Sequence, residues 1–412
     1  MKIVIVCPDA PPNPNGGLGT YLEGLSGALS DANADIHIVG TSRDQELPTM
    51  SLFGDVTIHR VVSRRPWKNA GMVRQFIGLA WEYIRLNSAA VCEALKPRRQ
   101  ADVVAVHDWM CSPAGFLLRL LGKPIVYHIH SAEIYLGGGR QGVISRLGRG
   151  LNRMMCWAAS AIVVPTARTI SLIPPITQRR EVHVIPHGAG KAGMIIDSTA
   201  VDYGRSKHRV YNECVLNDNR PIVLYVGRLA HHKGVLELLE ATKILRENNF
   251  DLYLIIVGCG LPDTSMDAKL KKQVDRLGLS DTVRFTGCFL STDVMIQYMS
   301  VADACVFPSK HEGFGFVALE AMAVGCRVVV GPGYSPDVVA SNAGTCIRVT
   351  DNVPYHLAEA LELALDKNYM PEMAQKAMEF VVGKRNWKLT GTQTLALYDK
   401  VKNGPKVHGK KV

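Results

Sequence analysis

Ala304-Cys305-Val306-Phe307-Pro308-Ser309-Lys310-His311-Glu312-Gly313-Phe314-Gly315-Phe316-Val317-Ala318-Leu319-Glu320-Ala321-Met322-Ala323-Val324-Gly325-Cys326-Arg327-Val328-Val329-Val330 is the stretch that decides the fold. Its two ends, Ala304–Phe307 and Arg327–Val330, are short apolar runs of the buried-strand type. Between them a Gly-Phe-Gly turn gives way to a helix-forming run that starts near Gly315 and that Gly325 stops. Glu312 therefore falls in the loop after a strand. Glu320 falls about one turn inside the following helix.

The same alternation continues in both directions. Strand candidates before the middle of the chain are Lys2–Val6, Ile36–Val39, Val56–Val62, Val103–Val106, Ile125–Ile129 and Ala161–Val164. After it come Ile222–Val226, Leu252–Val257 and Thr282–Phe285, ahead of the two already quoted. Strands separated by helical stretches predict parallel sheets covered on both faces. Two such series in 412 residues predict an α/β protein of two doubly wound, Rossmann-like domains, at residues 1–190 and 191–385. A terminal helix near Trp387 and a basic tail fill 386–412. From about Gly188 to Arg220 the sequence turns polar and loses its period, which reads as a linker. Open parallel sheets bind ligands beyond the carboxyl ends of their strands. With two of them, a cleft between the domains is the expected site.

The chemistry follows the strands. A helix start offers unpaired amides and a positive dipole end. Gly313 and Gly315 would let the backbone approach a bound group closely. Phosphate would suit the amides of Gly313–Val317, and Glu312 and Glu320 would accept hydrogen bonds from hydroxyls. That combination describes a nucleotide diphosphate sugar. After Ile222–Val226, Arg228 and Lys233 also precede a helix. Positive charge at a positive helix end is unfavourable unless an anion sits between. The two cations can clamp a diphosphate, each charged hydrogen bond contributing about 1.5–3 kcal/mol. Gly258-Cys259-Gly260 and Arg284-Phe285-Thr286-Gly287 follow further strands; they would frame the cleft and a base, or are plain turns.

In the first half, Asn15-Gly16-Gly17-Leu18-Gly19 follows the first strand. It is not a full G-x-G-x-x-G, so it fits a tight turn as well as a phosphate or sugar. His107-Asp108 and His128-Ile129-His130 follow strands as well. His128 and His130 share a strand face, but no third ligand stands at a recognised metal spacing, and a polar contact from His130 to a reacting sugar is the better reading. No Asp-x-Asp, P-loop or Gly-x-Ser-x-Gly pattern occurs. The diphosphate would then be neutralised without a metal.

At 47% hydrophobic the chain is globular. No apolar run reaches the roughly 18 residues of a membrane span. Met1–Val6 is strand-like and Pro8-Asp9 cut it short, unlike a secretory signal. Ten scattered cysteines form no Cys-x-x-Cys pair; buried thiols in a reducing cytoplasm are expected. The net charge of +10 is uneven: residues 1–190 hold 20 Lys and Arg against 13 Asp and Glu, and the rest 27 against 24. From Ile134 to Arg180 there are seven arginines and no acid. Arg146, Arg149 and Arg153 lie on one helical face, with Val143, Ile144, Leu147, Leu151, Met154 and Met155 on the apolar side. Such a helix suits an anionic acceptor or the inner face of a membrane, as a peripheral contact, or is an ordinary solvated face.

Together, Gly16-Gly17, His130, Arg228, Lys233 and the Glu312-x7-Glu320 segment resemble the family 4 glycosyltransferases of the two-domain GT-B fold, over nearly the whole chain. The resemblance implies a retaining, metal-independent hexosyltransferase needing no cofactor. It implies a nucleotide diphosphate sugar donor, UDP or GDP, on the C-terminal domain, and an acceptor hydroxyl of a glycan, glycolipid or small molecule on the N-terminal one. By the same resemblance Glu320 would hold the ribose and Arg228 and Lys233 the diphosphate. Glu312, with Gly313, Phe314, Gly315, Phe316 and Val317, would hold the hexose. Gly16 and Gly17 would close over the phosphates, His130 would contact the sugar near the reacting carbon, and the last helix would cross back onto the N-terminal domain. His187-Gly188 stands where relatives commonly have Asn-Gly, and Gly333-Tyr334-Ser335-Pro336-Asp337 where many carry a Glu. Other readings are a nucleotide-sugar epimerase, a glucan synthase, or a non-enzymatic sugar-nucleotide sensor. Nucleic acid is not an expected partner.

Overall fold

The computed structural model describes residues 1–11, 17–30, 34–42, 44–63, 72–97, 100–130, 143–171, 173, 181–190, 203–260 and 266–404. They form two compact units: Met1–His187 with Trp387–Val412, and Gly188–Asn386.

The first unit holds strands β1 (Lys2–Cys7), β2 (Asp35–Ser42), β3 (Met50–Phe53), β4 (Val56–Val62), β5 (Val103–His107), β6 (Ile125–His128), β7 (Ala161–Val164) and β8 (Val182–Val184). Their order is β3-β4-β2-β1-β5-β6-β7-β8. All neighbours are parallel except β3 with β4. The chain runs outward from β1 to one side, then returns to β5 and runs to the other. The switch point, where loops diverge and leave a crevice, lies between β1 and β5.

The second unit repeats the plan with β9 (Ile222–Val226), β10 (Tyr253–Val257), β11 (Val283–Phe285), β12 (Ala304–Phe307), β13 (Val328–Val330) and β14 (Ile347–Arg348). The order is β11-β10-β9-β12-β13-β14, all parallel. Its switch point lies between β9 and β12. Strand β9 is apolar throughout because both its faces are covered. Ile222, Leu224 and Val226 join one core cluster, and Val223 and Tyr225 the other.

Every strand expected from the sequence is present. The three that were missed, β3, β8 and β14, are short sheet-edge strands with few or no fully buried residues, so hydrophobic period carries little signal there. The polar stretch expected as a linker contains a helix, Tyr203–Glu213, in which only Ser206 and Val210 are buried. With so narrow an apolar stripe its period is faint. The terminal helix Trp387–Asn403 packs in the first unit against helix Gly17–Ser30. The Trp387 indole lies where a side chain on Gly24 would stand, and Thr390 Oγ1 donates to the Pro186 carbonyl at 2.9 Å. Among the described residues no helix is long and apolar enough to cross a membrane.

Candidate active site

In the second unit, three loops leave the carboxyl ends of β9, β12 and β13 and are tied to one another by their backbones. Lys310 N–H donates to the His232 carbonyl at 2.8 Å, and Gly333 N–H to the Ser309 carbonyl at 2.8 Å. Asn352 Nδ2 donates to the Pro308 carbonyl at 2.6 Å, and Lys310 pairs with Glu237. The loop after β10 joins them through Leu229 N–H, which donates to the Cys259 carbonyl at 3.0 Å.

This framework fixes the predicted charges. Lys233 ends a short 3-10 turn, His231–Lys233, ahead of helix Val235–Glu247. Its Nζ donates to Glu312 Oε2 at 2.7 Å, and both side chains are about five-sixths buried, at 16% and 17% exposed. Tyr225, at the end of β9, donates to the Arg228 carbonyl at 3.0 Å. Burial pushes its phenol pKa up, the Glu312 charge adds to that, and Arg228 opposes it. Tyr334, from the loop after β13, is pushed well up by burial and then by Glu312, Tyr225 and Glu320. The Glu312 charge thus acts on both tyrosines. Neither tyrosine was singled out from sequence; both lie beside quoted motifs, but spacing gives a phenol no distinctive signal.

Helix Phe316–Ala323 starts one residue past Gly315 and ends in a Schellman motif. Gly325 N–H bonds to the Met322 carbonyl and Cys326 N–H to that of Ala321. Gly315 has φ +92°, and a side chain there would lie 2.2 Å from the Tyr334 ring. That space was expected to admit a ligand; the protein's own tyrosine fills it. Phe314 is buried, and its ring packs against Phe316 at 5.2 Å between centroids. Gly313 and Val317 are partly exposed beside them. Glu320, 6% exposed, sets its carboxylate against the backbone of Gly190, where φ is +58° and a side chain would stand 2.1 Å from Glu320 Oε1. Gly190 is held in turn by its neighbour, since Ala189 N–H donates to the Arg385 carbonyl at 2.7 Å. Arg284, whose segment was read as framing the cleft and a base or as a plain turn, makes structural bonds: its guanidinium donates to the carbonyls of Cys214 and Ser280, each at 3.1 Å.

In the first unit the ends of β5 and β6 and the segments after β6 and β8 carry a histidine chain. His107 Nδ1 is 2.9 Å from His130 Nε2, and His130 Nδ1 is 3.3 Å from His187 Nε2. His128 Nε2 meets the Tyr398 hydroxyl at 2.9 Å. The Tyr21 ring packs at a tilt against His130 and His187, at 4.5 and 4.3 Å between centroids. Asp108 holds the loop with φ +59°, a strained value for a non-glycine residue, and accepts the His130 backbone N–H at 2.8 Å. Burial pulls the pKa of His107, His128 and His130 down, well down for the first two, and neighbouring imidazoles lower those two further; Asp108 alone pushes His130 back up. These rings are therefore neutral at pH 7. The third imidazole missing from the sequence reading is His107, which faces His128 across the β5–β6 ladder. Ligand atoms of His107, His128 and His130 lie within 4.8 Å of one another. The rings are nearly parallel, at 9–16° between planes; His107 and His130 are hydrogen-bonded to each other, and His128 is bonded to Tyr398. Gly17 opens helix Gly17–Ser30, which delivers Tyr21 to this cluster; Gly16 lies outside the described residues.

Comparisons with known proteins agree with this architecture. Residues 15–189 match the sequence profile of Glycosyltransferase Family 4, and residues 210–380 that of Glycosyl transferases group 1. An uncharacterized glycosyltransferase of Methanocaldococcus jannaschii is 26% identical over 97% of this chain and 98% of its own. An alpha-maltose-1-phosphate synthase of Mycolicibacterium smegmatis is 28% identical over 97% of this chain and 100% of its own. Among solved structures, a sucrose-phosphate synthase from Thermosynechococcus elongatus superposes with a TM-score of 0.78 at 21% identity, covering 97% of this chain and 98% of that one. These likenesses establish a shared two-domain fold.

Proposed function

The chain belongs to the family 4 glycosyltransferases, and from that premise we propose that it moves a hexose, with retention of anomeric configuration, from a nucleotide diphosphate sugar to an acceptor hydroxyl. The observation that carries the proposal is the 2.7 Å contact between Lys233 and Glu312, which joins the loops after β9 and β12 at the switch point of the second sheet. A diphosphate is the group that two cations and a helix start suit together. Hydroxyl-rich groups on either side suit the two carboxylates.

In this reading Arg228 and Lys233 neutralise the departing diphosphate as its bond to the anomeric carbon breaks. Preorganised charge of this kind commonly supplies about 2.7–4 kcal/mol per group. Glu312 orients Lys233 and accepts from hydroxyls of the hexose, to which the backbone amides from Gly313 to Val317 donate. Glu320 binds the ribose. In the first unit His130 exchanges one of its imidazole bonds for a sugar hydroxyl. No divalent ion is assigned a part. UDP or GDP is the carrier, and the acceptor is a glycan, a glycolipid or a small molecule. Relatives named as a glycogen synthase and as an alpha-maltose-1-phosphate synthase favour a sugar acceptor.

Steady-state transfer with a panel of UDP-, GDP- and ADP-hexoses, in the presence of a chelator, tests the reading. One donor class is expected to turn over, and Lys233→Ala and Glu312→Gln to lose most of that activity. Full activity in both variants would end the assignment. Incubation with donor alone separates transfer from epimerisation.

A further inference from the structure

Three helices lie side by side on one face of the first unit's sheet: Met72–Ala94, Ser112–Leu120 and Val143–Ala158. Their inward residues, among them Leu86, Ala90, Ala114, Leu118, Met155 and Cys156, share one core cluster with β1, β5 and β6. Asn87 locks the first two together: its Oδ1 accepts Ala114 N–H at 2.8 Å and its Nδ2 donates to the Met110 carbonyl at 3.1 Å.

The outward side of this layer is unlike an ordinary solvated surface. On the first helix Ile77, Trp81 and Ile84 recur at helical spacing and are 55–60% exposed. On the second, Leu117 and Leu120 are 45% and 70% exposed; on the third, Leu147 and Trp157 are 53% and 58% exposed. Leu147, read on the apolar side of its helix, stands outward beside Arg146. Scattered exposed apolar residues are normal, but large ones repeated over adjoining helices mark an interaction surface.

The charge on this face has one sign. Arg74, Arg85, Arg146 and Arg153 are exposed and Arg119 and Arg149 partly so. The only carboxylates of the three helices, Glu82 and Glu93, are each 5% exposed and already bonded, to Ser63 and to Lys2. We propose that this three-helix face docks on a membrane surface rich in anionic headgroups. Tryptophan and aliphatic side chains flanked by arginine are the composition that sits at the headgroup boundary. A second copy of this chain is disfavoured, because a two-fold contact would set arginine against arginine with no outward carboxylate to pair them. The inference stands on the surface alone and is independent of the reaction proposed above.

The test is co-sedimentation of the full chain with vesicles of neutral phosphatidylcholine, and with vesicles that also hold phosphatidylglycerol, at about 0.1 M and 0.5 M salt. Binding is expected only with the anionic vesicles, weakening at the higher salt as the charges are screened. Each arginine near such a surface contributes about fivefold, so Arg146→Gln with Arg153→Gln is expected to lower partitioning about 25-fold. Trp81→Ser with Trp157→Ser is expected to lower it about tenfold or more. The wild-type protein alone gives a second readout, a blue shift of tryptophan emission on adding anionic vesicles that salt reverses. Absence of binding and of the shift at low salt overturns the proposal. So does wild-type binding by variants that fold normally, or a concentration-dependent dimer in sedimentation velocity that the tryptophan variant abolishes.

Discussion

Lys233 Nζ stands 2.7 Å from Glu312 Oε2, joining the loop after β9 to the loop after β12 across the switch point of the second sheet. The two residues are 79 positions apart in sequence. In the proposed reading their pairing makes the cation for phosphate and the carboxylate for hydroxyls parts of one device.

That pairing has a kinetic signature. Lys233→Ala is expected to lower kcat/KM by about 10²–10³, the loss typical of one group that stabilises developing charge. Glu312→Gln is expected to cost a comparable amount, because it both releases Lys233 and weakens contacts to the sugar. The double variant should then lose much less than the product of the two single losses, since residues in contact are not additive. Fully multiplicative losses would show that the two act separately.

The Glu320 carboxylate owes its position to Gly190. Gly190→Ala would set a methyl against Glu320 Oε1 in a left-handed backbone position, so a loss of about 1–3 kcal/mol of stability is expected. The donor KM should rise more than kcat falls. Gly278→Ala is the control: φ there is +69° with open space around it, and about 1 kcal/mol should be lost with KM unchanged. Chemical denaturation and donor titration check both. Equal effects on KM from the two substitutions would detach Gly190 from the site.

Acid should weaken the first unit. His107, His128 and His130 have folded-state pKa values below the ordinary 6.5 because they are buried. Below pH 6.5 the unfolded chain therefore binds more protons than the folded one, and stability falls as pH drops from 6.5 toward the lowered values. Each such histidine contributes up to about 1.4 kcal/mol per pH unit in that window. Urea midpoints between pH 7.5 and 5.5 should decline with acidification. A flat or rising profile would mean that these rings are charged in the folded protein.

Much of this was readable in the chain. The strand-loop-helix-strand run from Ala304 to Val330 announced a parallel unit because both of its strands are apolar throughout and Gly315 and Gly325 bracket the helix. Lys233 and Glu312 were legible as chemistry because each follows a strand, where sheet geometry puts ligands. Their mutual contact was not, since it depends on which strands are neighbours. His107 escaped notice as His130's partner for the same reason. Tyr334 and Gly190 were invisible because their roles are steric: one fills the space over Gly315, the other makes room for Glu320. The exposed positions of Leu147 and Trp81 could not be foreseen either, because hydrophobicity marks a residue for burial whether or not the fold then buries it.

The central claim is that the second unit grips a diphosphate through Arg228 and Lys233 without a divalent ion. Calorimetric titration with UDP, GDP and ADP, in the presence of a chelator, measures it directly. The account predicts heat with at least one of these nucleotides, and affinity at least 100-fold weaker in a Lys233→Ala chain that melts like the wild type. No heat with any of the three, or heat unchanged by that substitution, would contradict it.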